Sequence, residues 1–153
     1  MANIAQFEEI EAWRKARQLT KEIYAATAQG QFAHDFALRD QIRRASVSIM
    51  SNIAEGFERD GNKEFRQFLS IAKGSAGEVR SQLYIALDIG YLDENKFEQL
   101  FHQTGELSRL VAGFIRYLET SELKGQKFRE MADVEYNVDA LEIAQITTMK
   151  LES

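Results

Sequence analysis

A chain of 153 residues with net charge −5 and no cysteine excludes several things at once. It is long enough to bury one real core, has no thiol for a disulfide or thiolate metal site, and is too acidic to grip nucleic acid over its whole surface. Apolar residues at 44% and charged residues at 28% are ordinary for a globular domain, and the absence of proline permits long unbroken helices.

The N-terminal "MANIAQFEEIEAW" is acidic and lacks an apolar h-region, and no apolar run of about eighteen residues follows. Neither a secretory signal nor a transmembrane helix is expected, which makes the cytoplasm the expected compartment and a membrane partner unexpected. The charge is uneven. Residues 1–120 hold 15 Lys/Arg against 17 Asp/Glu, whereas residues 121–153 hold 4 against 7. The body is nearly neutral and the tail is acidic.

Residues 7–27 place Phe7, Ile10, Trp13, Ala16, Thr20, Ile23 and Thr27 on one helical face, with three glutamates in the first turns where the helix dipole favours them. Gly30 is the expected stop. Asp35 is the expected N-cap of a second helix over about 36–58, which "RDGN" closes. The third helix, about 62–89, carries the clearest pattern. Phe65, Leu69, Ala72, Ala76, Val79, Leu83 and Ala86 alternate spacings of four and three, a heptad seam. In "GYLDEN", Gly90 reads as a C-cap and Asp93 as the N-cap of a fourth helix over about 94–119. Its seam is Phe97, Leu100, Thr104, Leu107, Val111, Phe114 and Leu118. Short connections between long amphipathic helices predict an all-α, antiparallel up-down four-helix bundle over residues 1–120. Residues 121–153 form an acidic extension whose irregular periodicity allows a short helix near 138–149.

Two of these helices have apolar residues on a second side. On the second helix Leu38, Ile42, Ala45, Ile49 and Asn52 form the inward seam, while Val47, Met50, Ala54 and Phe57 fall opposite. On the third, Ile71 and Ile85 lie outside the seam, and Gly74 and Gly77 share that side. Each glycine costs about 1 kcal/mol against alanine inside a helix, so packing should compensate. These eight residues form an expected subunit interface, and self-association accounts for both faces.

Several stretches quoted in order, "FEEIEAWRKARQLTKEIYAAT", "QIRRASVSIMSNIAEGFER", "KEFRQFLSIAKGSAGEVRSQL" and "LDIGYLDE", resemble the four-helix-bundle family of 23S rRNA intervening-sequence proteins over about residues 7–119. "SNIAEG" is the most specific piece. The resemblance implies a ring-like homopentamer. It also implies distant kinship with the accessory variability determinant of diversity-generating retroelements, which binds nucleic acid and a reverse transcriptase. The family carries proline where this chain has Met50, so an unbroken second helix is expected here. Its nucleic-acid-binding relatives are basic, unlike this chain.

No catalytic signature appears. His34 and His102 lack the spacing of a metal pair, Ser46, Ser48 and Ser51 have no nearby histidine base in sequence, and "AKGSAGEV" lacks the ending of a phosphate loop. No enzyme activity, metal or cofactor is expected. Asn52, Glu55 and Glu78 read as structural polar residues. Asn52 fixes register, Glu55 pairs with an arginine or caps a helix, and Glu78 awaits a basic partner from another subunit. Arg14, Arg17 and Lys21 on the first helix, with Arg66, Lys73 and Arg80 at heptad spacing on the third, form two basic stripes. They serve either as interhelical salt-bridge partners or as contacts for nucleic-acid phosphates. The expected function is a homo-oligomeric accessory or scaffold protein, with itself or another protein as partner. The alternative is a factor that binds RNA or DNA, acting with a reverse-transcriptase-like partner.

Overall fold

Asp35 and Asp93 open helices as their positions predict. The Asp35 Oδ1 accepts the Leu38 N–H at 3.1 Å, and the Asp93 Oδ1 accepts the Lys96 N–H at 2.7 Å. Each satisfies a donor that the first helical turn leaves without an intrahelical acceptor. The computed structural model describes residues 4–123. Within them lie α1 (Glu11–Thr27), α2 (Phe36–Glu58), α3 (Asn62–Asp88) and α4 (Glu94–Leu123), with 3-10 turns at Phe7–Glu9 and Gly30–His34. There is no strand among the described residues. The short helix expected near 138–149 falls outside them.

The first helix starts later than its periodicity predicts. Phe7–Glu9 is a separate 3-10 turn, and Ile10 is extended (φ −75°, ψ 123°) before α1 begins. The cause is Glu9, whose Oε2 accepts the N–H groups of Ala5 at 2.7 Å and Gln6 at 3.3 Å. That closed turn has its own cap, so it does not need to join α1. The α1 helix ends at Thr27, before Gly30. Gly30 (φ 55°) instead opens the turn that buries Phe32.

The α2 helix runs unbroken through Met50, as the absence of proline predicts. The end of α3 is a Schellman cap. The Tyr91 N–H bonds to the Ala86 carbonyl at 2.8 Å and the Gly90 N–H to the Leu87 carbonyl at 3.1 Å, with Gly90 at φ 81°. The α4 helix continues to Leu123, past its expected end near 119.

The α1 helix packs on α2, α2 on α3, α3 on α4, and α4 back on α1. With connections this short, the result is the expected up-down four-helix bundle. Every seam residue of α3 is buried, and every one of α4 except the half-buried Phe97. Threonines sit in these seams without leaving a polar group unpaired. Thr20, Thr27 and Thr104 donate to the carbonyls four residues back, of Ala16, Ile23 and Leu100, at 2.7, 2.7 and 2.6 Å.

The α2 seam departs from the heptad reading. Leu38, Ile42, Ala45 and Ile49 are buried, but the stripe continues through Ile53 and Gly56 rather than Asn52. A straight helix drifts about 20° per heptad against a strict seven-residue repeat. Over two heptads that is about 40°, enough to turn Ile53 toward the core and leave Asn52 at the rim.

Candidate functional site

The "SNIAEG" segment gains its meaning from Gly56. A Cβ at that position would stand 2.7 Å from the Phe68 Cβ and 3.0 Å from the Phe65 Cδ1. Only glycine lets α2 and α3 approach so closely. Two turns further along the same contact, the Ser48 and Ser75 hydroxyls meet at 2.9 Å, and Asn52 Nδ2 donates to the Ser48 carbonyl (2.8 Å) and hydroxyl (2.9 Å). Toward α1, Thr20 Oγ1 also reaches the Ser46 carbonyl at 3.2 Å, and Ser46 Oγ bonds back to Arg43 O at 2.9 Å. These small hydroxyl residues bring helices together. Asn52 is half-buried at the rim and bonds to Ser48 of its own helix, not at the buried seam position expected of a register residue.

Two arginines flanking this segment, Arg43 and Arg59, are engaged locally. Arg43 donates to Thr27 Oγ1 at 2.8 Å and lies 4.6 Å over the Tyr24 ring, tying α2 to the end of α1. Arg59 pairs with Glu55 at 2.8 Å and covers Phe68 at 5.3 Å. The arginine expected opposite Glu55 is therefore its own neighbour one turn on.

The eight residues of the expected interface divide into two groups. Met50, Ala54 and Phe57 are half-buried within the subunit, and Met50 and Phe57 pack on its core. Phe57 meets Phe65 edge-on at 6.0 Å. The drift along α2 turns Phe57 toward the core, so these residues are not a bare outer face. Val47 (37% exposed), Ile71 (52%) and Ile85 (46%) do face outward, as does Ile89 (52%), which the sequence reading missed. Phe68, Ile71, Ser75, Glu78, Gln82, Ile85 and Ile89 form a second heptad stripe along α3, with the same alternation of three and four as the inner seam. Gly74 and Gly77 beside it are exposed, and a Cβ on either would meet nothing within 4 Å. Glu78 is exposed as well. Gln82 is buried with no hydrogen-bond partner for its Oε1 among the described residues.

The two basic stripes also differ. On α3, Arg66 is paired with Glu119 of α4 at 3.9 Å and Arg80 lies 5.0 Å over Phe101. Lys73 is exposed. Beside Arg80 runs an aromatic group, Tyr84, Phe97 and Phe101, with centroids 5.2–5.3 Å apart. Its signal in the sequence was the four-residue spacing of Phe97 and Phe101. On α1, Arg14, Arg17 and Lys21 line a cleft of about 630 Å³ together with Glu8, Trp13 and Gln18. Their neighbour Lys15 turns the other way and joins Glu106 of α4 at 2.9 Å.

His34 and His102 are exposed, Ser46 is fully buried and Ser48 is tied to Ser75. Among the described residues no three His, Asp or Glu side chains cluster as a metal site would require, and no helix is long and apolar enough to cross a membrane.

The model of one family, 23S rRNA-intervening sequence protein, matches residues 8–113, most of the bundle. The chain belongs to this family. The match runs from Glu8 into α4 and leaves the acidic tail outside it. A solved structure from Bacteroides thetaiotaomicron, a protein with unknown function from the S23 ribosomal protein family, superposes with a TM-score of 0.64 at 23% identity. The alignment covers 68% of this chain and 97% of that one, and it supports the shared fold. No curated protein matches the chain.

Proposed function

We propose that this family member is a non-enzymatic, cytoplasmic, homo-oligomeric accessory or scaffold protein, assembled as a ring of five subunits. The observation that supports this most is the outer stripe of α3. Ile71, Ile85 and Ile89 are each about half exposed on one side of a helix whose other side is already fully committed to the bundle. Fully burying such a side chain is worth roughly 1.5–3 kcal/mol, and a second copy is the occupant that every subunit meets at equal concentration. The unpartnered Gln82 Oε1 lies on the same stripe, where a donor from the neighbouring subunit satisfies it. Gly74 and Gly77 allow that neighbour's backbone to come close. Light scattering on wild type and on Ile71→Glu/Ile85→Glu tests the reading. Assembly lost in the variant with helical content retained supports it, and a monomeric wild type refutes it.

A second reading, a nucleic-acid-binding factor acting with RNA or a reverse-transcriptase-like partner, is favoured by one observation. The cations of the α1 cleft have no carboxylate partner among the described residues, whereas Arg66 on α3 does. Phosphate binding predicts affinity that falls steeply with salt and depends little on sequence. Anisotropy of labelled RNA and DNA at low salt measures this, and no binding to either ends the reading.

A further inference from the structure

We propose that the cleft beside Trp13 on α1 binds single-stranded nucleic acid, with a base stacked on the indole and backbone phosphates held by Arg14, Arg17 and Lys21. This rests on the second reading above and narrows it to one site and one kind of strand.

Two features mark this cleft. The first is its free positive charge. Arg14 donates Nε to the backbone carbonyl of Glu8 at 2.7 Å, Arg17 lies 5.9 Å over the Trp13 ring, and Lys21 is exposed. None is bridged to a carboxylate, although Lys15 between them is bridged to both Glu11 and Glu106. The α4 side of the helix is neutralised and the cleft side is not. At 1.5 Å per residue the three cations extend about 10 Å along the helix, a track rather than a point.

The second feature is the ring itself. Trp13 is half-buried, and Phe7 meets it edge-on at 5.1 Å with the planes at 66°. Phe7 is placed there by the 3-10 turn that the Glu9 carboxylate closes, so the orientation of the indole is set before any ligand arrives. An oriented aromatic ring among cations that no carboxylate pairs is the arrangement by which proteins hold single strands, a base taking the place of Arg17 over the ring and the charges holding phosphates. Duplex bases are already stacked on each other and gain nothing from the indole. An acidic peptide gains the charges but not the ring face. Glu8 lines the same cleft and opposes any anion there, so Glu8→Gln strengthens binding.

Trp13 is the only tryptophan in the chain, so its fluorescence reports on this cleft alone. The experiment titrates the full chain with fluorescein-labelled oligo(dT) and oligo(U) at low salt, reading tryptophan quenching and anisotropy together. The expected result is saturable quenching that tracks the anisotropy and is screened by salt. Trp13→Ala should weaken binding roughly 5- to 150-fold. Arg14→Gln/Arg17→Gln/Lys21→Gln should remove it with the circular dichroism unchanged, while Arg66→Gln/Lys73→Gln/Arg80→Gln retains it. Binding without quenching, insensitive to the α1 triple variant, overturns this site and leaves the second reading standing. Equal quenching by a duplex, or displacement by polyglutamate, overturns the ligand class. No anisotropy change with any nucleic acid overturns both.

Discussion

The carboxylate of Asp35 is shared with Tyr91, 56 residues away: Oδ1 caps α2 and Oδ2 accepts the Tyr91 hydroxyl at 2.9 Å. Tyr91 lies in the α3–α4 connection, and its ring stacks on Phe32 at 5.0 Å. One side chain thus joins the two loops at this end of the bundle. Asp35→Ala removes both bonds, and loss of the cap alone costs about 0.5–2 kcal/mol. Tyr91→Phe should lower the melting temperature by less, since it keeps the ring and the cap. In a double-mutant cycle the two changes should be non-additive, because the second bond can be lost only once. Additive thermal shifts would contradict the shared carboxylate.

The same pair predicts an alkaline transition. The hydrogen bond to Asp35, then burial and the Asp35 charge, raises the Tyr91 phenol above its ordinary value. A group whose folded pKa is raised contributes stability that is present below its unfolded pKa, about 10, and is lost as pH rises through the higher folded value. Denaturant melts of wild type should therefore weaken above about pH 10 through Tyr91. Tyr91→Phe should remove that part of the slope and leave the rest. An unchanged slope in the variant would show that the bond does not form in solution.

Glycines on α2 and α3 should respond in opposite directions. Gly56→Ala forces a methyl group against Phe68 and Phe65, and overpacking of this kind costs about 1–3 kcal/mol. Gly74→Ala and Gly77→Ala meet nothing within the subunit, so each should gain up to about 1 kcal/mol of helix propensity. Thermal melts in the Ile71→Glu/Ile85→Glu background isolate the subunit. In the wild-type background the same two alanines should weaken assembly, because they fill the groove a neighbour's backbone would enter. Stabilisation by Gly56→Ala would show that α2 and α3 are not in close contact there.

How far these features were legible in the sequence follows the physics of each. Capping residues act within four positions, so Asp35, Gly90 and Asp93 could be placed to the residue. The α3 and α4 seams were legible because their repeats stay in phase throughout. The α2 seam was not, because a seven-residue template hides the slow drift that exchanges Asn52 for Ile53 and turns Phe57 inward. Gly56 stood in plain view, but the reading chose Gly74 and Gly77 for close approach. Glycine content cannot show which glycine meets a neighbour, since the contact is made with Phe68 on another helix. For the same reason Arg66 and Arg80, at regular spacing with Lys73, read as one stripe until α4 supplied Glu119 and Phe101. The Trp13 cleft was half legible: its cations were identified, but the Phe7 turn that fixes the ring depends on Glu9 folding back on its own backbone.

The central claim, that the outer stripe of α3 is covered by a second copy of the chain, is tested most directly by the mass in solution. Multi-angle light scattering of the purified wild type at micromolar concentration should give a whole-number multiple of the 17.5 kDa subunit, five being the proposed number. Ile71→Glu/Ile85→Glu should shift the mass to one subunit with its helical circular dichroism intact. A wild type that elutes at 17.5 kDa across that range would contradict the account.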